Sequence, residues 1–517
     1  MRVLWSSNSP FCQTGYGIQT AIATHQLKKM GHEVAIFAFY GLEGSQIDWL
    51  GIPIFPNNPR DWGQTDAHMF YDYFKADIYL SLVDAWVLRG LDVRMNWVPW
   101  MPVDHDPCPD AVVRTLKESP NIVKPIAMSR FGQEKLKEKG IESYYIPHSV
   151  DTSLYSPDIE DRKKTREGFN WKDKFVIGTV GTNHGERKNW ITSMKAVKKL
   201  NDMHPGEIVY YMHTDPVCDR GLNLAALRVN LGMEDYTFVP SKPSMTIGIE
   251  PEAMVRAYNA MDVFLLLSKG EGFGIPLIES QSCGTPIITT KCTAQTELMG
   301  GGWFVENLIP TWTGQASWQF ECDVNEAVEK LEEAYQAKKN GTILEQCEKA
   351  RHKALEYGND VVYSEYWPPV LKDIEKRIKG PKSLEGVQQW RLGFLPGNCI
   401  PRKVLDIGCG VTQPYRPHLE HLGEYVGIDT KNGPGVKRMD AHNLKFKDKE
   451  FGFVWMSELL EHVKDADRVL VEAQRVGVHG VCLFSTPVNP FYKMDPDHKE
   501  VKLPYHTLKS GDGLITW

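Results

Sequence analysis

Two glutamates, Glu271 and Glu279, stand with seven residues between them in the stretch SKGEGFGIPLIESQSCG, residues 268–284. Between them lie a Gly272-Phe273-Gly274 turn and Pro276, and proline suits the first turn of a helix. Just upstream, the apolar run 263–267 reads as a strand. Strand, glycine turn and helix start together predict a polar pocket at the carboxyl end of a strand, where open α/β sheets bind ligands. The amides of Gly272, Phe273 and Gly274 are expected to point into it as donors. The carboxylates of Glu271 and Glu279 can accept hydrogen bonds from sugar or ribose hydroxyls.

Other residues suit the same chemistry. Arg187 and Lys188 follow a predicted strand at 175–181 and the loop Gly181-Thr182-Asn183-His184-Gly185. Two cations at a helix start are unfavourable unless an anion arrives, and a diphosphate is one such anion. Gly15 and Gly17 follow a strand at 3–6 and would let the backbone approach that diphosphate from the other side. Asp104-His105-Asp106 follows a strand at 97–102 and has two readings. It is an Asp-x-Asp pair for a divalent metal, or it offers His105, with Asp104 as runner-up, as a contact to donor or acceptor with no metal; the second is preferred. Ser129 and Arg130 follow a strand at 123–128.

The 268–284 segment closely resembles the signature of the retaining glycosyltransferases of family 4, which have the GT-B fold of two facing Rossmann-like domains. The resemblance implies that Glu271 faces the donor sugar and Glu279 holds the nucleotide ribose. It implies that Arg187 and Lys188 hold the donor phosphates, and that His105 lies near the donor sugar. It implies a place for a strand-end serine near the acceptor or a phosphate, which makes Ser129 and Arg130 candidates for that role. It also implies retention of anomeric configuration by front-side attack, the departing phosphate helping to take the acceptor's proton. The paired glutamates are then not a glycosidase acid and base. Pro147-His148-Ser149-Val150-Asp151 resembles the family's hinge between the two domains.

A third pattern opens at Val404-Leu405-Asp406-Ile407-Gly408-Cys409-Gly410. With Gly427-Ile428-Asp429, Met439-Asp440-Ala441 and Ser457-Glu458-Leu459-Leu460-Glu461-His462, it resembles class I methyltransferases that use S-adenosylmethionine. That resemblance assigns the cofactor to Asp406, Gly408, Gly410, Asp429 and Asp440. Thr412 stands where a third glycine is common. The few residues after the strand 481–485 predict a last β-hairpin that is shortened or missing.

The expected organisation is α/β throughout. An acceptor-side Rossmann-like domain covers 1–150. A nucleotide-sugar domain covers 151–378, its last helix, 363–378, crossing back to the first. A linker at 379–395 leads to a methyltransferase-like domain at 396–517, read as truncated. Such a length suits about three domains. The composition, 42% hydrophobic and 24% charged, is that of a soluble globular protein. A net charge of −7 disfavours nucleic acid as a partner. Ten cysteines without a Cys-x-x-Cys pair give neither a disulfide framework nor a zinc site, which points to a reducing cytoplasm. No signal peptide or bilayer-spanning run is apparent, so a lipid-linked acceptor would be met peripherally. The expected substrates are a nucleotide sugar and a glycan or other hydroxyl acceptor, and no required metal. Two other readings stay open: a glycosyltransferase acting on nucleic acid or protein with a degenerate methyltransferase module, and a non-catalytic GT-B binding protein.

Overall fold

The computed structural model describes residues 1–57, 61–241, 248–379, 403–457, 459–485 and 512–516. The chain divides into two compact units, 1–380 and 381–517.

The first unit holds two sheets. The eight-stranded one runs, in spatial order, Ile47–Trp49, Ile52–Pro56, Glu33–Tyr40, Arg2–Asn8, Ile78–Leu82, Trp97–Met101, Ile126–Ala127 and Tyr144–Tyr145. Its pairs are parallel except the first, which is an antiparallel edge. Near-continuous apolar runs are what a parallel sheet buried on both faces demands. Val3 and Trp5 enter one core while Leu4 enters another, the alternation of a strand. The strand predicted at 123–128 shrinks to Ile126–Ala127, because Pro125 has no amide to give to a ladder.

The second sheet has six parallel strands in the order Thr237–Phe238, Ile208–His213, Phe175–Val180, Val263–Leu266, Ile287–Thr290 and Gly302–Val305. Successive strands are added outward from Phe175–Val180 in one direction and from Val263–Leu266 in the other. The sheet therefore has a topological switch point between these two neighbours, and a ligand crevice opens beyond their carboxyl ends. The loops leaving them carry Arg187-Lys188 and Glu271. In the first sheet Arg2–Asn8 and Ile78–Leu82 form the corresponding switch point; the first leads to Tyr16, in the first turn of the helix Gly15–Lys29, and the second to Asp84.

The helices Val324–Asn340, Ile343–Leu355 and Trp367–Lys379 follow the second sheet. The last of them returns to the first lobe. Trp367 is fully buried, with its ring 6.4 Å from that of Trp5 and 5.4 Å from that of Trp100, and Tyr144 donates a hydrogen bond to Asp373. One hydrophobic core consequently contains residues of both lobes and of this helix. The segment between the two sheets is held by an isolated bridge: the Val150 amide donates to the Tyr357 carbonyl, and the Asn359 amide donates back to the Val150 carbonyl.

An antiparallel hairpin, Leu308–Trp312 with Trp318–Cys322, was not expected from the sequence. Its second strand reaches the first lobe: Asp106 and Trp318 exchange backbone hydrogen bonds of 3.1 and 2.8 Å.

The second unit is a six-stranded sheet in the order Val436–Arg438, Glu424–Asp429, Lys403–Ile407, Phe451–Ser457, Gly477–Ser485 and Asp512–Thr516. The first five strands are parallel and the last is antiparallel. Where the sequence predicts a last hairpin that is shortened or missing, one antiparallel strand, Asp512–Thr516, pairs with 481–485. Except for Lys379, the predicted linker lies outside the described residues, as do 396–402 and Glu458. Among the described residues, no helix is long and apolar enough to cross a membrane.

Candidate functional site

Glu271 is buried and binds two cations at once. It accepts from Arg187 Nη1 at 2.7 Å and from Lys188 Nζ at 2.5 Å. Burial alone would raise its carboxyl, but the two cations reverse this and hold it at about 2. Burial lowers the Lys188 ammonium below its usual value against the opposing pull of Glu271. Arg187 also donates to the Gly270 carbonyl at 2.8 Å. These side chains meet because the loops at the second sheet's switch point emerge side by side.

The first lobe closes on this cluster. Arg187 Nε lies 3.7 Å from Asp104 Oδ2, and Asp104 Oδ1 lies 2.7 Å from His105 Nδ1. The approach of the lobes explains the glycines of the turn. A Cβ on Gly270 would stand 2.2 Å from the Asp104 carbonyl oxygen, and one on Gly272 2.2 Å from Pro102 Cβ. Asp104 and Asp106 face different partners: Asp104 turns to His105 and Arg187, whereas Asp106 faces Lys135 at 3.1 Å. Among the described residues no three His, Cys, Asp or Glu side chains converge as a ligand group for a metal.

Two members of the cluster escaped the sequence reading. Tyr16, in the first turn of helix Gly15–Lys29, interacts electrostatically with Asp84, Asp104, Arg187 and Glu271. Asp84 follows the strand Ile78–Leu82, and burial together with the nearby Asp104 raises its carboxyl to about 6. A strand-end acid beside another strand-end acid in a parallel pair was the available signal. The Gly-Tyr-Gly spacing drew attention to the glycines instead.

Glu279 lies in the helix Ile275–Ser282 and joins a different group. Tyr258 donates to it at 2.8 Å, Tyr155 is a second hydrogen-bond partner, and burial raises its carboxyl to about 7 despite both. Gly274 has φ of 114° and ends the turn ahead of this helix. Phe273 points its ring into the core, edge-on to His148 at 5.3 Å and to Tyr357 at 5.6 Å. Only its backbone is left for a ligand.

Three other expectations change. Ser129 is fully buried and caps the helix Arg130–Glu138, accepting from the Gly132 amide at 3.0 Å, so its hydroxyl does not face an acceptor. The Arg130 guanidinium stacks on Tyr145, 3.7 Å from the ring centre, while its amide donates to Glu297 of the other lobe at 2.9 Å. It therefore ties the lobes together. Gly17 is needed by its own loop, since a Cβ would stand 2.1 Å from the Cys12 carbonyl. Gly15 faces the other lobe, its Cβ position 3.5 Å from Ile275 Cδ1.

In the second unit a cavity of about 530 Å³ is lined by Gly408, Asp429, Asp440, His442 and His462, among others. Gly408 and Gly410 turn through φ of 77° and 66°, and the Gly410 amide donates to Asp429 at 3.0 Å. Asp440 accepts from the His442 amide at 2.9 Å and lies 2.7 Å from its ring Nδ1. Asp406 is not at this cavity. It is buried, accepts from Tyr425 at 2.8 Å, and burial raises it to about 7.

Residues 174–316 match the family model described as glycosyl transferases group 1, and residues 405–484 match a methyltransferase domain. A D-inositol 3-phosphate glycosyltransferase of Corynebacterium jeikeium is 24% identical over 263 residues, 45% of this chain and 59% of that protein. A sterol 24-C-methyltransferase of Schizosaccharomyces pombe is 29% identical over 148 residues, 24% of this chain and 37% of that protein. The chain thus spans less than two thirds of either relative. Among solved structures, HepE of Anabaena in complex with UDP and glucose aligns with a TM-score of 0.53 at 15% identity, over 73% of this chain and all of that one. This likeness is one of fold: the two lobes of the first unit have the GT-B arrangement.

Proposed function

We propose that this chain, which carries a group 1 glycosyltransferase domain over 174–316 and a methyltransferase domain over 405–484, moves a sugar from a nucleotide diphosphate donor to a hydroxyl acceptor with retention of configuration. The observation that carries this reading is the grip of Glu271 on Arg187 and Lys188 where the two lobes meet. An incoming diphosphate competes for both cations and takes them over, as charge-assisted bonds to phosphate are strong. Glu271 is thereby released to face the sugar hydroxyls. Donor-side amides of Gly272 and Gly274 and the Glu279 carboxylate then hold the rest of the nucleotide sugar. UDP is the favoured nucleotide, because the Anabaena relative of the same fold is described with UDP and glucose. The departing phosphate, still paired with Arg187 and Lys188, takes the acceptor's proton.

The test is turnover of UDP-glucose and other nucleotide sugars, with the product anomer read by NMR. Retention supports the front-side route. Inversion overturns it and makes Asp84, with its raised pKa, the base. A Lys188→Ala variant that turns over donor at the wild-type rate overturns the site itself.

The second unit supports an additional methyl transfer. Its residues fit S-adenosylmethionine: a left-handed glycine turn beside a cavity, Asp429 at a strand end for ribose hydroxyls, and Asp440 for the adenine. That cofactor, when bound, supplies an electrophilic methyl group. We take the methyl acceptor to be the glycan product, in keeping with surface polysaccharide synthesis at the cytoplasmic side of a membrane. Absence of labelled methyl in the glycan product would refute this pairing.

A further inference from the structure

The hairpin Leu308–Trp312/Trp318–Cys322 does more than join the lobes. Trp312 and Trp318 stand directly opposite each other in its register, with ring centres 4.7 Å apart at 69°. Both are exposed, at 56% and 40% of their surface. They form the last pair before the turn, at the opposite end of the hairpin from Leu308 and Cys322, which join the core. Their turn is held in one shape, with the Thr313 amide and hydroxyl both donating to the Ser317 carbonyl at 3.0 Å.

The hairpin is also fixed relative to the cleft. Trp318 shares its two backbone hydrogen bonds with Asp106, two residues beyond Asp104. Phe320 donates to the Lys269 carbonyl at 2.8 Å, two residues before Glu271. Indole faces on so rigid a support cost little ordering when something binds them.

The chemistry around the indoles is distinctive. No charged side chain occurs from Asn307 to Phe320, in a chain that is 24% charged. Gln315, in the turn, is exposed there, so the surface offers aromatic faces beside a neutral amide group. Such a surface matches a sugar, whose C–H face packs on indole while its hydroxyls find neutral partners. Asp106, which is bridged to Trp318, has its carboxylate paired with Lys135 at 3.1 Å, so that ammonium is already engaged and poorly suited to the phosphorylated ligand or anionic lipid surface that would call for cations.

We propose that Trp312 and Trp318 form a subsite for a neutral glycan chain, which they hold at the acceptor side of the cleft. This rests on the reading of the cleft as a site of sugar transfer. It deepens that reading by making the acceptor an extended, uncharged saccharide rather than a small phosphorylated polyol.

The test is calorimetric titration of the full chain with neutral hexasaccharides of glucose, mannose, galactose and xylose, and separately with UDP. At least one hexasaccharide should bind saturably. Trp312→Ala should weaken it about tenfold, the loss expected of one stacked aromatic, while Trp312→Phe retains most of the affinity. Affinity for UDP should be unchanged in both variants, which also reports that they are folded. The proposal is overturned if no hexasaccharide binds at millimolar concentration, or if Trp312→Ala leaves binding intact. It is equally overturned if the indoles instead bind vesicles of phosphatidylcholine and phosphatidylglycerol. Failure of the wild-type chain to bind UDP would count against the sugar-transfer reading, not against the aromatic subsite.

Discussion

Arg187 of one lobe faces Asp104 of the other at 3.7 Å while it holds Glu271 of its own lobe at 2.7 Å. The guanidinium therefore senses both sides of the cleft, and the balance of two carboxylates against Arg187 and Lys188 is set before any substrate enters. A buried charge that loses its partner is costly, so the cluster bears on stability as well as on the donor binding proposed for it.

The first prediction follows from that double duty. Glu271→Gln should reduce donor turnover by on the order of a hundredfold or more, as loss of a group aimed at the reacting centre does. It should also lower stability by about 3 kcal/mol, because Lys188 is left buried beside a neutral amide. Saturating UDP should restore much of that stability by supplying the missing anions. Denaturant melts with and without UDP check this; a variant as stable as wild type in both conditions would contradict it.

Glu279 gives a pH signature. Its carboxyl is raised by burial to about 7, against an ordinary value of 4.5. The folded chain thus holds a proton that the unfolded chain has lost between these values, and this residue's contribution to stability falls as pH rises from about 4.5 to about 7. Glu279→Gln should flatten that part of the stability profile. If the carboxylate holds ribose hydroxyls, UDP affinity in wild type should climb through pH 7 and the variant should lose the climb. Melting curves and UDP titrations from pH 5 to pH 8 measure both.

Glu271 has the opposite sign. Its folded value of about 2 lies below the ordinary 4.5, so its contribution is fully present above about pH 4.5 and is lost as pH falls towards 2. Lys188→Met should shrink this acid-side loss, because one of the two cations that depress Glu271 is gone.

Adding a single methyl group at the lobe contact tests the closure. Gly270→Ala or Gly272→Ala places a Cβ about 2.2 Å from the Asp104 carbonyl or from Pro102. The lobes must part to admit it. Turnover should fall at least about tenfold, since misplacement of reacting groups by an ångström is expensive, with only a modest change in melting temperature. Kinetics and small-angle scattering on the same sample separate the two effects.

In the second unit, Asp429→Ala should weaken S-adenosylmethionine binding by at least about tenfold, as one lost charge-assisted hydrogen bond does. Asp406→Asn should leave that affinity nearly unchanged, because Asp406 is turned to Tyr425 behind the glycine turn. Equal losses in the two variants would contradict the geometry.

The sequence made plain those features in which local chemistry and local conformation agree. The strand, glycine turn and helix start at 263–276 and the turn at 404–410 were readable, because glycine and proline restrict the backbone wherever they fall. Arg187 and Lys188 could be placed because cations at a helix start need a reason. Tyr16 and Asp84 could not, since strand pairing within the first sheet sets them side by side and only the approach of the two lobes brings them to the Glu271 cluster. Ser129 was read as a ligand contact although a serine just before a helix has an ordinary capping use. The hairpin at 308–322 was missed because its short strands carry a proline and few branched residues, so their pairing depends on the neighbouring lobe.

Trp367 fills the space beside Trp5 and Trp100 from a helix that is made long after them. During synthesis, the amino-terminal sheet emerges from the ribosome with that indole-lined surface bare. It stays uncovered until nearly the whole glycosyl-transfer unit has been translated. The first lobe is therefore a late finisher despite coming first, and a nascent chain halted before residue 367 would be a natural client for chaperones that grip exposed aromatic surface.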